Sequence, residues 1–314
     1  MPSQDNDVNN AAGNQIAVDL EQEYRNSSIQ EVLDELDRDL VGLRTVKTRI
    51  QEIASLLLVE RVRNKLGLTS TPPALHMCFI GNPGTGKTTI AMRMADILHR
   101  LEFIETPNLV SVTRDDLVGE DIGQTAPKTK AVINSARGGV LFIDEAYYLY
   151  RPEDELDYGR DAIEILIQLM ENERADVVII LAGYKPGMEK FFKSNPGMHS
   201  RIGHHIVFPD YGPEELMGIA MKFLGDINYD FTPAGRKAFA EFLEISKNME
   251  HFANARTVRN AIDRMRLRHA NRLFLHRNEH ITKNDLRLLD DADILPESVF
   301  KEGVIEFDDE HSEY

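Results

Sequence analysis

Gly81-Asn82-Pro83-Gly84-Thr85-Gly86-Lys87-Thr88 satisfies the pattern G-x-x-x-x-G-K-T, and Thr89 continues into the segment that follows. The chemistry follows from the residue types. Glycines let the backbone curl so that successive N–H groups converge on phosphate oxygens, and the next helix presents its positive end. Lys87 reaches the β and γ phosphates, and the Thr88 hydroxyl is a ligand for Mg²⁺. Downstream, Val140-Leu141-Phe142-Ile143-Asp144-Glu145 is an apolar strand ending in two carboxylates. Beside a phosphate loop, Asp144 is placed to hold Mg²⁺ through water and Glu145 to orient or deprotonate an attacking water. The two motifs together predict nucleotide hydrolysis.

Both need rigid supports. Residues 75–80 form a short apolar run that predicts a buried strand before the loop, and residues 89–95 begin a helical apolar period after it. Further strands are expected at 109–112, 140–143, 177–182 and 205–208, alternating with helical stretches. This is the rhythm of a parallel sheet covered on both faces. From Gly212 onward the spacing is helical, over 214–224, 233–243 and 256–274, which predicts a smaller all-helical domain after the α/β one. Upstream, Ser28 is placed to cap a helix carrying Ile29, Val32, Leu33, Leu36 and Leu40, and a second helix spans 46–65 before a turn-rich link at 69–73. The expected division is a polar, disordered tail at 1–27, a nucleotide-binding domain at 28–210, a helical lid at 211–300 and an acidic, solvated tail at 301–314.

Composition narrows the partners. The formal charge of −16 argues against a phosphate-backbone binder, so no nucleic-acid partner is expected. No run approaches the length of a membrane span, and no membrane partner is expected. The single cysteine, Cys78, excludes an intrachain disulfide framework and reads as a small buried hydrophobe. His204 and His205, adjacent on a strand, would face opposite sides and are poorly placed to share a metal ion. Residues 1–15 lack an apolar signal region, and Asp5, Asp7 and Asp19 do not suit a transit peptide. An organellar protein would then be encoded in the organelle or seen here in mature form.

Several segments together resemble the red-type Rubisco activases of the CbbX/CfxQ family of AAA+ ATPases. They are the phosphate loop, Ser111-Val112-Thr113-Arg114-Asp115-Asp116-Leu117-Val118-Gly119, Thr125-Ala126-Pro127-Lys128-Thr129-Lys130, the stretch from Gly138 to Tyr150, Leu181-Ala182-Gly183-Tyr184 and Phe252-Ala253-Asn254-Ala255-Arg256. The resemblance runs from about Leu20 to Phe300. It implies an AAA+ phosphate-loop fold and a hexameric ring that binds ATP and Mg²⁺ between subunits. Hydrolysis in such a ring pulls a segment of red-type Rubisco through the axial pore and releases an inhibitory sugar phosphate. Ribulose 1,5-bisphosphate is implied as an allosteric activator. A plastid stroma is the implied location, with a bacterial cytoplasm as the alternative.

The resemblance assigns Arg201 as the arginine finger that enters the neighbouring subunit's site, and Arg256 as the sensor-2 arginine of the lid. A permanently charged planar guanidinium suits both, because it stabilises charge on the transferred phosphoryl group. Tyr184 stands at the sensor-1 position, where a phenol could position water or simply pack. The pore loop departs from the family's aromatic-aliphatic-glycine triplet and reads Asp121-Ile122-Gly123. Asp lacks the amphipathic surface of an aromatic grip. Three readings stay open: a ring mixed with a sibling subunit that supplies the aromatic, an altered homohexamer, or a loop in which Ile122 suffices. Arg259, Arg264, Arg266, Arg268 and Arg272 make the last helix basic, which suits intersubunit salt bridges or an anionic ligand. A related AAA+ chaperone with another client, of sporulation or type VII secretion kind, and a regulatory ATP-binding ring subunit are the alternative functions.

Overall fold

The computed structural model describes residues 19–68, 73–151, 157–172, 176–278 and 280–294. The acidic tail at 301–314, most of the 69–73 link and the first eighteen residues of the expected N-terminal tail lie outside them. The chain enters through α1 (Leu20–Ser27), α2 (Ile29–Asp39) and α3 (Arg44–Lys65). The tail expectation is corrected here, since residues 20–27 are helical. Asp19 caps α1 by accepting from the Gln22 amide at 3.0 Å, and the Lys65 ammonium donates to Glu23 at 2.7 Å, tying α1 to the end of α3. Ser28 is also not the side-chain cap expected of it. It adopts φ 53° between two abutting helices and gives its amide to the Arg25 carbonyl.

The α/β layer follows as β1 (Met77–Ile80), α4 (Lys87–Arg100), β2 (Leu109–Val112), α5 (Arg114–Leu117), α6 (Thr125–Ser135), β3 (Val140–Ile143), a 3₁₀ turn (Ala146–Leu149), α7 (Gly159–Asn172), β4 (Val178–Gly183), α8 (Lys185–Ser194), α9 (Pro196–His199) and β5 (His204–Val207). The sheet is wholly parallel in the order β2-β3-β4-β1-β5, with Met77 opposite Ile180 and His204, and Val140 opposite Leu109 and Val178. Strand residues alternate between two cores, as the two-residue period requires. Phe79, Phe142 and Ile180 join one, whereas Cys78, Leu141 and Ile179 join the other. All four strands expected after β1 are present, displaced by no more than one residue.

The lid consists of α10 (Pro213–Asp226), β6 (Asp230–Phe231), α11 (Pro233–Ser246), α12 (Ala255–Leu275), β7 (Leu288–Leu289) and a 3₁₀ turn at Asp291–Asp293. It is helical except for a two-residue parallel ladder pairing Asp230 with Leu288 and Phe231 with Leu289. Runs this short carry no periodicity that a sequence reading can detect. The lid core, with Leu216, Phe239 and Val258, is continuous with the first sheet core, and Leu36, Leu40 and Leu43 belong to the same cluster. No helix among the described residues is long and apolar enough to cross a membrane.

Candidate active site

The carboxyl ends of parallel strands leave backbone groups and following loops pointing into a common crevice. A cavity of about 560 Å³ opens there, where β1 and β3 end, and the lid and the α2–α3 connection complete its wall. Pro83, Gly84, Gly86, Lys87, Thr88, Thr89, Asp144, Glu145 and Arg256 all line it. The two expected motifs and the expected lid arginine therefore meet in one place.

Phosphate-loop geometry comes from the residues themselves. Gly84 and Gly86 adopt φ +73° and +93°, values that only glycine takes without strain, so the loop reverses and α4 starts at Lys87. The Lys87 ammonium donates to the Gly81 carbonyl at 2.8 Å and the Asn82 carbonyl at 3.0 Å. Burial lowers its pKa, opposed by the nearby carboxylates of Asp144 and Glu145. Gly81, Asn82 and Thr85 shape the loop from behind. Thr85 is buried with its hydroxyl on the Asn82 carbonyl at 2.8 Å, and the Asn82 amide turns outward to both oxygens of Asp210, at 3.0 and 2.9 Å.

After β3, Asp144 accepts the Glu145 amide at 3.0 Å, and Glu145 bends the chain through φ 48°. The Glu145 Oε2 atom is buried without a hydrogen-bond partner among the described residues. A buried carboxylate oxygen with spare accepting capacity suits a water awaiting deprotonation. Thr88, on the first turn of α4, and Asp144 share the cavity wall and offer the hard oxygen donors that Mg²⁺ prefers. The donor set and the glycine cradle fit a nucleoside triphosphate with Mg²⁺.

The other expected site residues lie elsewhere. Arg201 does not line this cavity. Its guanidinium pairs with Glu171 on α7 and donates to the Gly197 carbonyl at 2.7 Å. Asp121, Ile122 and Gly123 form an exposed turn between α5 and α6, with Ile122 84% exposed and the Gln124 side chain donating to Asp121 at 3.0 Å. Tyr184 directly follows β4 and is partly exposed. Its ring meets Tyr147 edge-on at 4.5 Å, and Tyr147 in turn lies beside Glu145, its phenol pKa raised by burial and then by that carboxylate. His205 stacks near His199 and Phe192, with centroids 5.2 and 5.6 Å away.

Several wall residues were not read from the sequence as part of this site: Leu40 and Val41 before α3, and Tyr211, Ile219, Lys222 and Phe223 on the lid side; Arg259, expected only as one of the basic residues suited to salt bridges or an anionic ligand, also lines the wall. One signal was available, because Arg256 and Arg259 are three apart and share a helix face. Arg259 lies over the Phe223 ring at 4.8 Å. Lys222 donates to the carbonyls of Arg38 and Asp39, which fastens α10 to the end of α2. Leu40, Val41, Ile219 and Phe223 add apolar surface to the cavity wall.

Comparison with known proteins agrees with this geometry. Residues 77–210 match the model of the ATPase family associated with various cellular activities (AAA), and residues 212–302 match the AAA lid domain. The chain is 58% identical over 287 residues to "Ribulose bisphosphate carboxylase/oxygenase activase, chloroplastic" of Cyanidioschyzon merolae, covering 91% of this chain and 98% of that protein. It is 57% identical over 297 residues to "Protein CbbX" of Cereibacter sphaeroides, covering 95% and 96%. Among solved structures, the FIGL-1 AAA domain superposes with a TM-score of 0.57 at 16% identity, covering 84% of this chain and 86% of that one. The Thermotoga maritima RuvB branch migration motor gives 0.51 at 21%, covering 78% and 67%. At such identities the structural likeness speaks for the fold alone.

Proposed function

This chain belongs to the CbbX/CfxQ family of AAA ATPases, and from that premise we propose that it is the ATP-hydrolysing subunit of a ring that remodels inhibited red-type Rubisco and releases a tightly bound sugar phosphate. The observation that carries the reading is identity of 57–58% along more than nine-tenths of the chain to relatives that include a named Rubisco activase. The cavity supplies the energy-converting part. Backbone amides of the loop and Lys87 would bind the phosphates, and Glu145 would take the proton of the attacking water. Arg256 would meet the phosphoryl group from the lid. Thr88 and Asp144 would hold Mg²⁺, which when bound neutralises charge developing on the phosphate oxygens.

Arg201 would serve a neighbouring subunit's site, which gives assembly a catalytic reason. The exposed turn at Asp121-Ile122-Gly123 would face the axial pore. A ring shared with a sibling subunit is our preferred reading, because Asp121 offers no aromatic surface to grip a peptide. Ribulose 1,5-bisphosphate is proposed as an activator. The plastid stroma is the proposed setting; the equal likeness to a Cereibacter sphaeroides protein supports a bacterial cytoplasm as the second.

The test is reactivation of sugar-phosphate-inhibited red-type Rubisco with ATP, using this chain alone and mixed with a sibling carrying a tyrosine pore loop. Reactivation only in the mixture supports the shared ring, and reactivation by the chain alone supports a homohexamer. ATP turnover without reactivation in either sample would move the assignment to another client.

A further inference from the structure

Asn254 is fully buried and adopts φ 49°, ψ −126°, a backbone region open to glycine and strained for other residues. Its side chain is fully used. Oδ1 accepts the Tyr211 amide at 3.0 Å, and Nδ2 donates to Asp210 at 2.8 Å and to the Pro83 carbonyl at 3.3 Å. Asp210 also receives the Asn82 amide through both oxygens. The backbone repeats the join, since the Ala255 amide donates to the Gly84 carbonyl at 3.2 Å. A Cβ on Gly84 would come within 2.2 Å of the Ala253 carbonyl oxygen. The start of α12, which carries Arg256, is therefore seated on the outer side of the loop whose inner side faces the cavity.

We infer that Asn254 is a positioning residue for nucleotide binding: with Asp210 it clasps the phosphate loop to the lid, so that the aim of the loop amides and the place of Arg256 are set together. Glycine would take this backbone conformation without strain. An asparagine there is informative because its side chain ties together three segments far apart in sequence: 82–84, 210–211 and 253–256. Linkage then runs both ways. Nucleotide that fixes the loop also holds the lid hinge, and a lid that moves carries the loop with it. The inference rests on reading the cavity as the nucleotide site.

The test compares Asn254→Gly, Asn254→Asp and the swap Asp210→Asn/Asn254→Asp, measuring Mg-ADP affinity, KM and kcat for ATP, and melting temperature. Asn254→Gly relieves the backbone strain while removing the clasp. It should bind ADP about tenfold more weakly, the equivalent of one net hydrogen bond, and raise KM more than it lowers kcat. Asn254→Asp sets two carboxylates together and should bind more weakly still. The swap restores a donor facing an acceptor between positions 210 and 254 but not the bond to the Pro83 carbonyl, so it should recover part, not all, of the affinity lost in Asn254→Asp. A folded Asn254→Gly variant with parental ADP affinity would overturn the inference. Should Asn254→Gly fail to fold, the swap decides, and a swap no better than Asn254→Asp alone would overturn it. Lys87→Ala separates the two readings: if it leaves ADP binding intact, the cavity assignment itself has failed, whereas loss of binding there with parental affinity in Asn254→Gly removes only the clasp.

Discussion

Arg201 is ion-paired to Glu171 of its own subunit and does not line the cavity that Lys87 faces. On the proposed reading, an arginine held there would serve hydrolysis at the site of a neighbouring copy. Arg201→Ala is therefore expected to lower ATP turnover by about 10³-fold or more while leaving ADP affinity of the isolated subunit unchanged. Mixing Arg201→Ala with Lys87→Ala subunits should recover part of the turnover, because some interfaces then pair an intact phosphate loop with an intact arginine. No recovery at any mixing ratio would remove Arg201 from the neighbour's chemistry.

Lys87 and Glu145 line the same cavity but are expected to fail differently. Lys87→Ala should abolish measurable binding of Mg-ATP along with turnover, since it removes the cation that meets the phosphates. Glu145→Gln keeps shape and hydrogen bonding but not basicity. It should bind ATP as the parent does and turn over about 10²–10⁴-fold more slowly. Equilibrium binding beside steady-state hydrolysis distinguishes the two.

Arg114 and Asp157 form a buried pair at 2.8 Å, with side chains 12% and 3% exposed. Arg114 also donates to the Tyr148 carbonyl, and Asp157 accepts the amides of Arg151 and Gly159. This ties the start of α5 to the segment after β3. Asp157→Ala leaves a buried guanidinium unpaired and should cost about 3 kcal/mol in urea unfolding. Burial alone would raise the Asp157 pKa, but the two amides and Arg114 outweigh it and hold the carboxyl below its ordinary value of 3.8. Its contribution should be fully present above pH 3.8 and be lost only as pH falls further.

Cys78, central in β1, is fully buried and its thiol is pushed up to about 12 by burial. A raised folded pKa gives a contribution that is complete below the unfolded value of 9.0 and disappears as pH rises toward about 12. Stability should fall across that window, and the slope should be shallower in Cys78→Ala. Thiol reagents at neutral pH should label the native protein only as fast as it unfolds.

The chemistry of this protein was legible in its sequence where contiguous residues carry it. The phosphate loop needs its glycines, lysine and threonine at set spacing, and the acidic strand needs its apolar run to end in Asp144 and Glu145. Short continuous apolar runs likewise revealed the strands around them, because a strand buried on both faces is apolar at nearly every position. Tertiary structure decided what depends on distant partners. Residues 20–27 are polar enough to read as a tail, yet they form a helix tied through Glu23 to Lys65. Tyr184 meets the Tyr147 ring, a contact made where the ends of two neighbouring strands come together. Asn254 entered the sequence reading only as part of the 252–256 block, and the approach of Pro83 from 171 residues away shows its use. Sequence fixes the chemical groups and their local geometry; which groups face one cavity is settled by the packing of cores that join residues far apart along the chain.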